Sequence, residues 1–313
     1  MNFLKKNFNS NLKPVFDGSP IFVGGDGRSG TTLLSLVLDT HSQLVVGPEL
    51  HFGGPKNLGS YAKKCAELVV ACDPRVFGKG LKENPDLKLG VQFVKRCHRF
   101  GIAFDELIEL IDESIRESNS ELETFEQRCV LINKIGQQRC IKTDKPIWGM
   151  KIMREVKNLN RYKMLWPKAR FIHIIRDGRD VAASQLIEHG TWGYADIKKA
   201  AIGWVDLITN SRKQSAPEGY FEIKYEDLVM NTESALIRLV DFIGVPMEQG
   251  MLKHNKVEHA LFDNAYNHAS INQVVNPINS SSIERFRKDL TEEQQEAFWA
   301  IAGLMLDELG YEK

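Results

Sequence analysis

The chain has 313 residues, with 41 Lys+Arg against 41 Asp+Glu, 26% charged and 42% hydrophobic residues. That length suits one large α/β domain, and the zero charge balance excludes a general nucleic-acid binder, which shows a basic excess. No apolar run approaches the ~18 residues that would span a bilayer, and Lys5 and Lys6 near the start have no apolar core after them, so stable membrane insertion and a secretory signal are both excluded and a cytoplasmic protein is expected.

Pro20-Ile21-Phe22-Val23-Gly24 reads as a short buried strand, and Leu33-Leu34-Ser35-Leu36-Val37-Leu38 opens an apolar helix. Between them runs Gly25-Asp26-Gly27-Arg28-Ser29-Gly30-Thr31-Thr32, with Gly25 and Gly30 spaced as in a phosphate loop and in the strand–loop–helix context that such a loop needs. Backbone N–H groups at the helix start then face an anion, aided by the helix dipole. The nucleotide triphosphatase pattern carries Lys after the second glycine. Here Thr31 stands there, and the cation is Arg28 on the loop crest. The loop is expected to hold a phosphate-like group without the lysine that serves a triphosphate.

Leu44–Gly47 is the next candidate strand, followed by Pro48-Glu49-Leu50-His51. From about residue 52 to 146 the chain shows helical periodicity, as in Phe104, Leu107, Ile108, Ile111 and Ile115, continued by Leu122, Phe125, Cys129 and Ile132. This insertion is expected to form a helical cap over the carboxyl end of the sheet, where open α/β folds bind ligands. It holds all five cysteines (Cys65, Cys72, Cys97, Cys129, Cys140) without CxxC spacing, so reduced thiols rather than a metal site are expected.

Further strands are expected at Ile147–Ile152, Arg170–Arg176 and Tyr220–Tyr225. Phe171-Ile172-His173-Ile174-Ile175 is nearly continuous apolar, as in a strand buried on both faces. It runs into Arg176-Asp177-Gly178-Arg179-Asp180-Val181-Ala182-Ala183-Ser184 at a helix start. An arginine at such a strand end suits a bidentate grip on phosphate oxygens. Near the end, Thr291-Glu292-Glu293-Gln294 caps an amphipathic helix through Phe298, Ile301, Leu304, Met305 and Leu309. Alternating apolar runs and helical patterns predict a single domain over residues 1–313: α/β, P-loop-type, three layers, with a central parallel sheet and the helical insertion.

Val23-Gly24-Gly25-Asp26-Gly27-Arg28-Ser29-Gly30-Thr31-Thr32-Leu33-Leu34 resembles the 5′-phosphosulfate loop of the sulfotransferases that use 3′-phosphoadenosine 5′-phosphosulfate (PAPS). In motif layout the chain is most similar to tyrosylprotein sulfotransferases and bacterial sulfotransferase-family proteins. The resemblance is strong over about 20–49 and 150–241, moderate over 270–286 and absent over the insertion. It implies transfer of a sulfuryl group from PAPS to an acceptor hydroxyl, with 3′,5′-adenosine bisphosphate (PAP) as product. It also implies roles. Arg28, Ser29, Gly30, Thr31 and Thr32 hold the 5′-phosphosulfate, while Arg176 and Ser184 bind the 3′-phosphate. Lys151, which precedes Arg176 by 25 residues, contacts the sulfuryl group and leaving oxygen. Ser270 lies at the sulfuryl group, and Arg285 and Tyr225 lie near the nucleotide.

Glu49, 21 residues after Arg28, matches the general base of the tyrosylprotein enzymes. His51 is the rival, since other branches use histidine. Those enzymes read Gly-Glu-Glu-Thr-Arg where this chain reads Gly47-Pro48-Glu49-Leu50-His51, and Leu50 and His51 cannot meet an acidic peptide as Thr-Arg does. The acceptor is therefore open among small molecules, carbohydrates and peptides, and a homodimer is left open. No metal is implied. Two other functions fit a phosphate loop: a small-molecule kinase and a nucleotide-binding module without catalysis.

Overall fold

The computed structural model describes residues 15–50, 57–73, 84–187, 193–215, 217–263 and 271–313. Among these, β1 (Ile21–Gly24), β2 (Leu44–Gly47), β3 (Ile147–Met153), β4 (Arg170–Ile175) and β5 (Tyr220–Lys224) form a five-stranded sheet of order β2-β3-β1-β4-β5. Every pairing is parallel. All five expected strands are present, each within one residue of its expected end. β1 lies between β3 and β4, so the loop leaving it opens at the point where the strand order reverses, where ligands of such sheets bind. The β1–β3 register skips between Val23 and Gly24, which pairs with Met153. Gly25 N still donates to the Met153 carbonyl at 3.1 Å, so the irregularity sits where the loop departs.

The helices are α1 (Thr31–Asp39), α2 (Leu58–Val70), α3 (Pro85–Arg99), α4 (Phe104–Ser118), α5 (Phe125–Thr143), α6 (Leu159–Leu165), α7 (Gly178–Ile187), α8 (Ile197–Gln214), α9 (Tyr225–Met230), α10 (Thr232–Ile243) and a terminal α11 (Glu292–Glu308), with shorter turns between. Period-two alternation divides them between the sheet faces. Ile21, Val23, Leu44, Val46, Ile172, Ile174 and Ile223 pack with apolar residues of α1 and α10. Phe22, Val45, Met150, Ile152 and Phe171 point the other way, into a cluster with Phe93, Leu107, Cys129, Ile132 and Tyr162.

Within the insertion, α5 lies against β2 and β3, while α2, α3 and α4 pack on one another and α4 packs on α5, all within the cluster that takes Phe22, Val45, Met150, Ile152 and Phe171. The carboxyl end of α3 reaches the mouth of the sheet, where Arg96 and Arg99 line a cavity. Leu122 also stands outside the expected helix: it is buried with φ 59°, and α5 begins after the Thr124 cap, whose hydroxyl accepts from Gln127 N.

The terminal helix has the expected Thr291 cap but a different buried face. Phe298, Ala302 and Leu306 are buried, whereas Leu304 is 90% exposed. Residues at i, i+4 and i+8 therefore make the seam against α8, and Leu304 lies on the opposite side.

Candidate active site

Gly30 caps α1 with φ 94°, a left-handed conformation, and offers no side-chain cap. The first-turn N–H groups of Thr31, Thr32 and Leu33 thus have no acceptor within the helix. A methyl group on Gly30 would come within 2.6 Å of Tyr225 Cδ2, so both backbone and space demand glycine. Gly30→Ala is expected to lower stability by about 1–3 kcal/mol, read as a lower urea midpoint. Gly219→Ala is the neutral control, since the added carbon meets nothing closer than 3.6 Å.

Arg28 is also left-handed, at φ 75°. Its Nε donates to Ser184 Oγ at 2.9 Å, and its carbonyl accepts from Arg176 Nη1 at 2.9 Å. Asp26 holds the loop from below. It is 3% exposed and accepts from Gly27 N (2.8 Å), Gln185 Nε2 (3.0 Å) and Arg154 Nη1 (2.6 Å). A buried carboxylate with three donors is satisfied and fixes the loop against α7 and the turn after β3. Sequence reasoning passed over Asp26, Gln185 and Arg154. The only signal was an acidic residue between two loop glycines.

Lys151 projects from β3 into the same mouth. A buried ammonium needs partners, and Lys151, 3% exposed, has two. Its Nζ donates to Thr32 Oγ1 at 3.0 Å and lies 2.8 Å from Glu49 Oε2. The other Glu49 oxygen, Oε1, lies 3.1 Å from Arg96 Nη2. Burial alone would push the Glu49 carboxyl up, but the Lys151 ammonium and the Arg96 guanidinium hold it well below the usual carboxylate range. Glu49 is thus ionised at any working pH.

Arg176 is almost fully buried. Besides the Arg28 carbonyl it meets Asp180 Oδ2 at 3.2 Å and the Ser282 carbonyl, and its guanidinium lies over the Tyr225 ring at 4.7 Å. Its Nε is buried without a hydrogen-bond partner. Burial pushes Asp180 up and Arg176 pulls it back, so each of the pair depends on the other.

These groups surround one cavity of about 570 Å³, a volume suited to a nucleotide-sized ligand. Arg28, Gly30, Thr31, Thr32, Glu49, Lys151, Arg176, Ser184, Tyr225 and Arg285, all expected from the sequence, line it together. Ser29 does not: it is 1% exposed, and its N–H donates to the Asp26 carbonyl. His51 and Ser270 lie outside the described residues. Among the described residues, the lining carries six cations (Arg28, Arg96, Arg99, Lys151, Arg176, Arg285) against the single carboxylate of Glu49, a field suited to a polyanion. Unpaired first-turn N–H groups, the orphaned Arg176 Nε and this charge excess fit a ligand with phosphate-like groups at two ends. Sequence reasoning had no means to find Arg96, which reads as part of the basic run Lys95-Arg96-Cys97-His98-Arg99 on a helix surface.

Residues 20–249 match the model of the Sulfotransferase family. The chain is 22% identical over 298 residues to Protein-tyrosine sulfotransferase A of Caenorhabditis elegans, covering 93% of this chain and 67% of that protein. It is 25% identical over 282 residues to a protein of Aquifex aeolicus (strain VF5), covering 86% of this chain but only 30% of that longer protein. The sulfotransferase domain of the Synechococcus PCC 7002 olefin synthase superposes with TM-score 0.59 at 19% identity, covering 94% of this chain and 97% of that domain, which shows a shared fold.

Proposed function

The chain belongs to the sulfotransferase family, and on that premise we propose that it moves a sulfuryl group from PAPS to an acceptor hydroxyl by in-line displacement. The observation that carries this reading is the position of Lys151 Nζ, 3.0 Å from Thr32 Oγ1 and 2.8 Å from Glu49 Oε2. One cation thereby joins the phosphate loop to the only carboxylate among the described residues of the cavity.

PAPS supplies an activated sulfuryl group, and the chain's residues supply the rest. Glu49 takes the acceptor proton as the acceptor oxygen bonds to sulfur. Lys151 and the N–H groups of Gly30 to Thr32 neutralise the charge left on the departing phosphate oxygen as its bond to sulfur breaks. These donors are already aimed before reaction, which is electrostatic preorganisation. Arg28 adds to that field, and Ser270 is assigned the same task by resemblance. Ser184 and the free Nε of Arg176 hold the 3′-phosphate. Arg285 and Tyr225 complete the nucleotide wall.

The acceptor is a hydroxyl compound (a phenol, a sugar or a peptide tyrosine) and no nucleic acid is involved. No described helix is long and apolar enough to cross a membrane. The same reading places the protein in the cytoplasm, where its free cysteines stay reduced, and treats 1–313 as one domain.

PAP release from PAPS, measured with 4-nitrophenol, a tyrosine peptide, glucosamine and a primary alcohol in turn, tests the reading. Acceptor-dependent release without Mg-ATP is expected. Mg-ATP-dependent phosphorylation of a panel member, with no PAP release, would replace the reading with a kinase.

A further inference from the structure

We propose that Arg96 is the positioning residue of Glu49, fixing the carboxylate from the insertion side so that Oε2 faces the reacting centre. The inference rests on the reading of Glu49 as the acceptor's base.

The geometry is a two-point hold. Arg96 Nη2 lies 3.1 Å from Oε1, and Lys151 Nζ lies 2.8 Å from Oε2. Rotation of the carboxylate breaks one contact or the other. Lys151 also serves Thr32 and faces the place where sulfuryl charge is handled, so its hold on Glu49 is shared. Arg96 has no such second duty: its Nη1 is buried without a hydrogen-bond partner. The side chain accepts that cost because Glu49 draws it inward. Its anchor is rigid, since Phe93, Val94 and Cys97 of α3 are buried around it.

Among the described residues, the charged groups that act on Glu49 are Lys151 of β3 and Arg96 of α3, and the other charged groups lining the cavity, Arg28, Arg99, Arg176 and Arg285, are cations too. Removing Arg96 therefore raises the proton affinity of Glu49. The trade is clear: Arg96 weakens the base and keeps it aimed. Misplacing a catalytic group by about 1 Å costs roughly 10²-fold in rate.

The test uses Arg96→Gln, Arg96→Lys, and Arg96→Gln in a Glu49→Gln background, with whichever of the four named acceptors releases PAP fastest. Arg96→Gln is expected to lower kcat about 10²-fold with the donor KM and the PAP-induced rise in Tm unchanged. The acidic limb of kcat/KM moves to higher pH. The Glu49 carboxyl resonance in ¹³C-glutamate-labelled, ligand-free protein titrates at higher pH as well, a readout independent of turnover. Arg96→Lys keeps a cation and stays near the wild-type titration. Arg96→Gln adds no further loss once Glu49 is Gln.

Three results would overturn the inference: an unmoved Glu49 titration in Arg96→Gln, unchanged kcat in that variant, or an equal loss with and without Glu49. Should Arg96→Gln not fold, Arg96→Lys decides, by retaining the titration and losing kcat or by losing neither. Failure of the base reading is separate, because it appears as retained turnover in Glu49→Gln alone.

Discussion

Glu49→Gln lowers turnover by about 10²–10⁴-fold, the contribution of a positioned general base, or about 2.7–5.4 kcal/mol of barrier. Binding of PAP stays as it is, because Arg28, Ser184 and Arg176 hold their places without Glu49 and Lys151 keeps its bond to Thr32 Oγ1. The amide keeps the shape of the carboxylate but has no basic oxygen, so the loss reports proton transfer. In the wild-type protein kcat/KM, which reports the free enzyme, carries no Glu49 limb from pH 5 upward, since the two cations hold its carboxyl well below the usual range. Stopped-flow or steady-state PAP release over pH 5–9, beside calorimetric PAP binding, checks both halves. Undiminished turnover in Glu49→Gln would remove Glu49 from the base role and return it to His51.

Arg176→Ala loses stability and nucleotide selectivity together. The side chain ties the phosphate loop through the Arg28 carbonyl, α7 through Asp180, and the late segment through the Ser282 carbonyl. Asp180 is 0% exposed and, among the described residues, keeps only the Phe286 N–H, at 2.9 Å, as a donor after the change. Removing one partner of a buried pair costs about 3–5 kcal/mol, read as a lower urea midpoint. The preference for PAP over ADP, which lacks the 3′-phosphate, falls by at least roughly tenfold, given about 1.5–3 kcal/mol for a charged hydrogen bond. Arg176→Lys restores part of the stability and little of the selectivity, because an ammonium cannot reproduce the planar fork. Full PAP selectivity in a folded Arg176→Ala protein would take the 3′-phosphate away from this residue.

The sequence was legible where the signal is local. The strand–loop–helix around Gly25 and Gly30 lies within a few residues of itself, so spacing alone located it. The strands were legible because β-branched runs such as Phe171-Ile172-His173-Ile174-Ile175 have no helical period. What the sequence withheld is tertiary. Asp26 and Gln185 meet across 159 residues, and nothing in either neighbourhood names the other. Arg96 meets Glu49 only because the fold brings the carboxyl end of α3 to the segment after β2, and a basic run on an amphipathic helix looks the same whether it faces solvent or a carboxylate. Periodicity showed that the insertion has apolar stripes but not which helices they meet. Leu304 fell on the wrong side because an apolar residue within a helix does not by itself specify the seam.

The most direct measurement is the unfolding temperature with PAP, with ADP and with Mg-ATP, each at about 100 times the PAP dissociation constant. PAP is expected to add about 2.7 kcal/mol, roughly 4 °C for a chain of this size, with ADP and Mg-ATP adding far less. A rise with Mg-ATP alone, and none with PAP, would contradict the account at its centre.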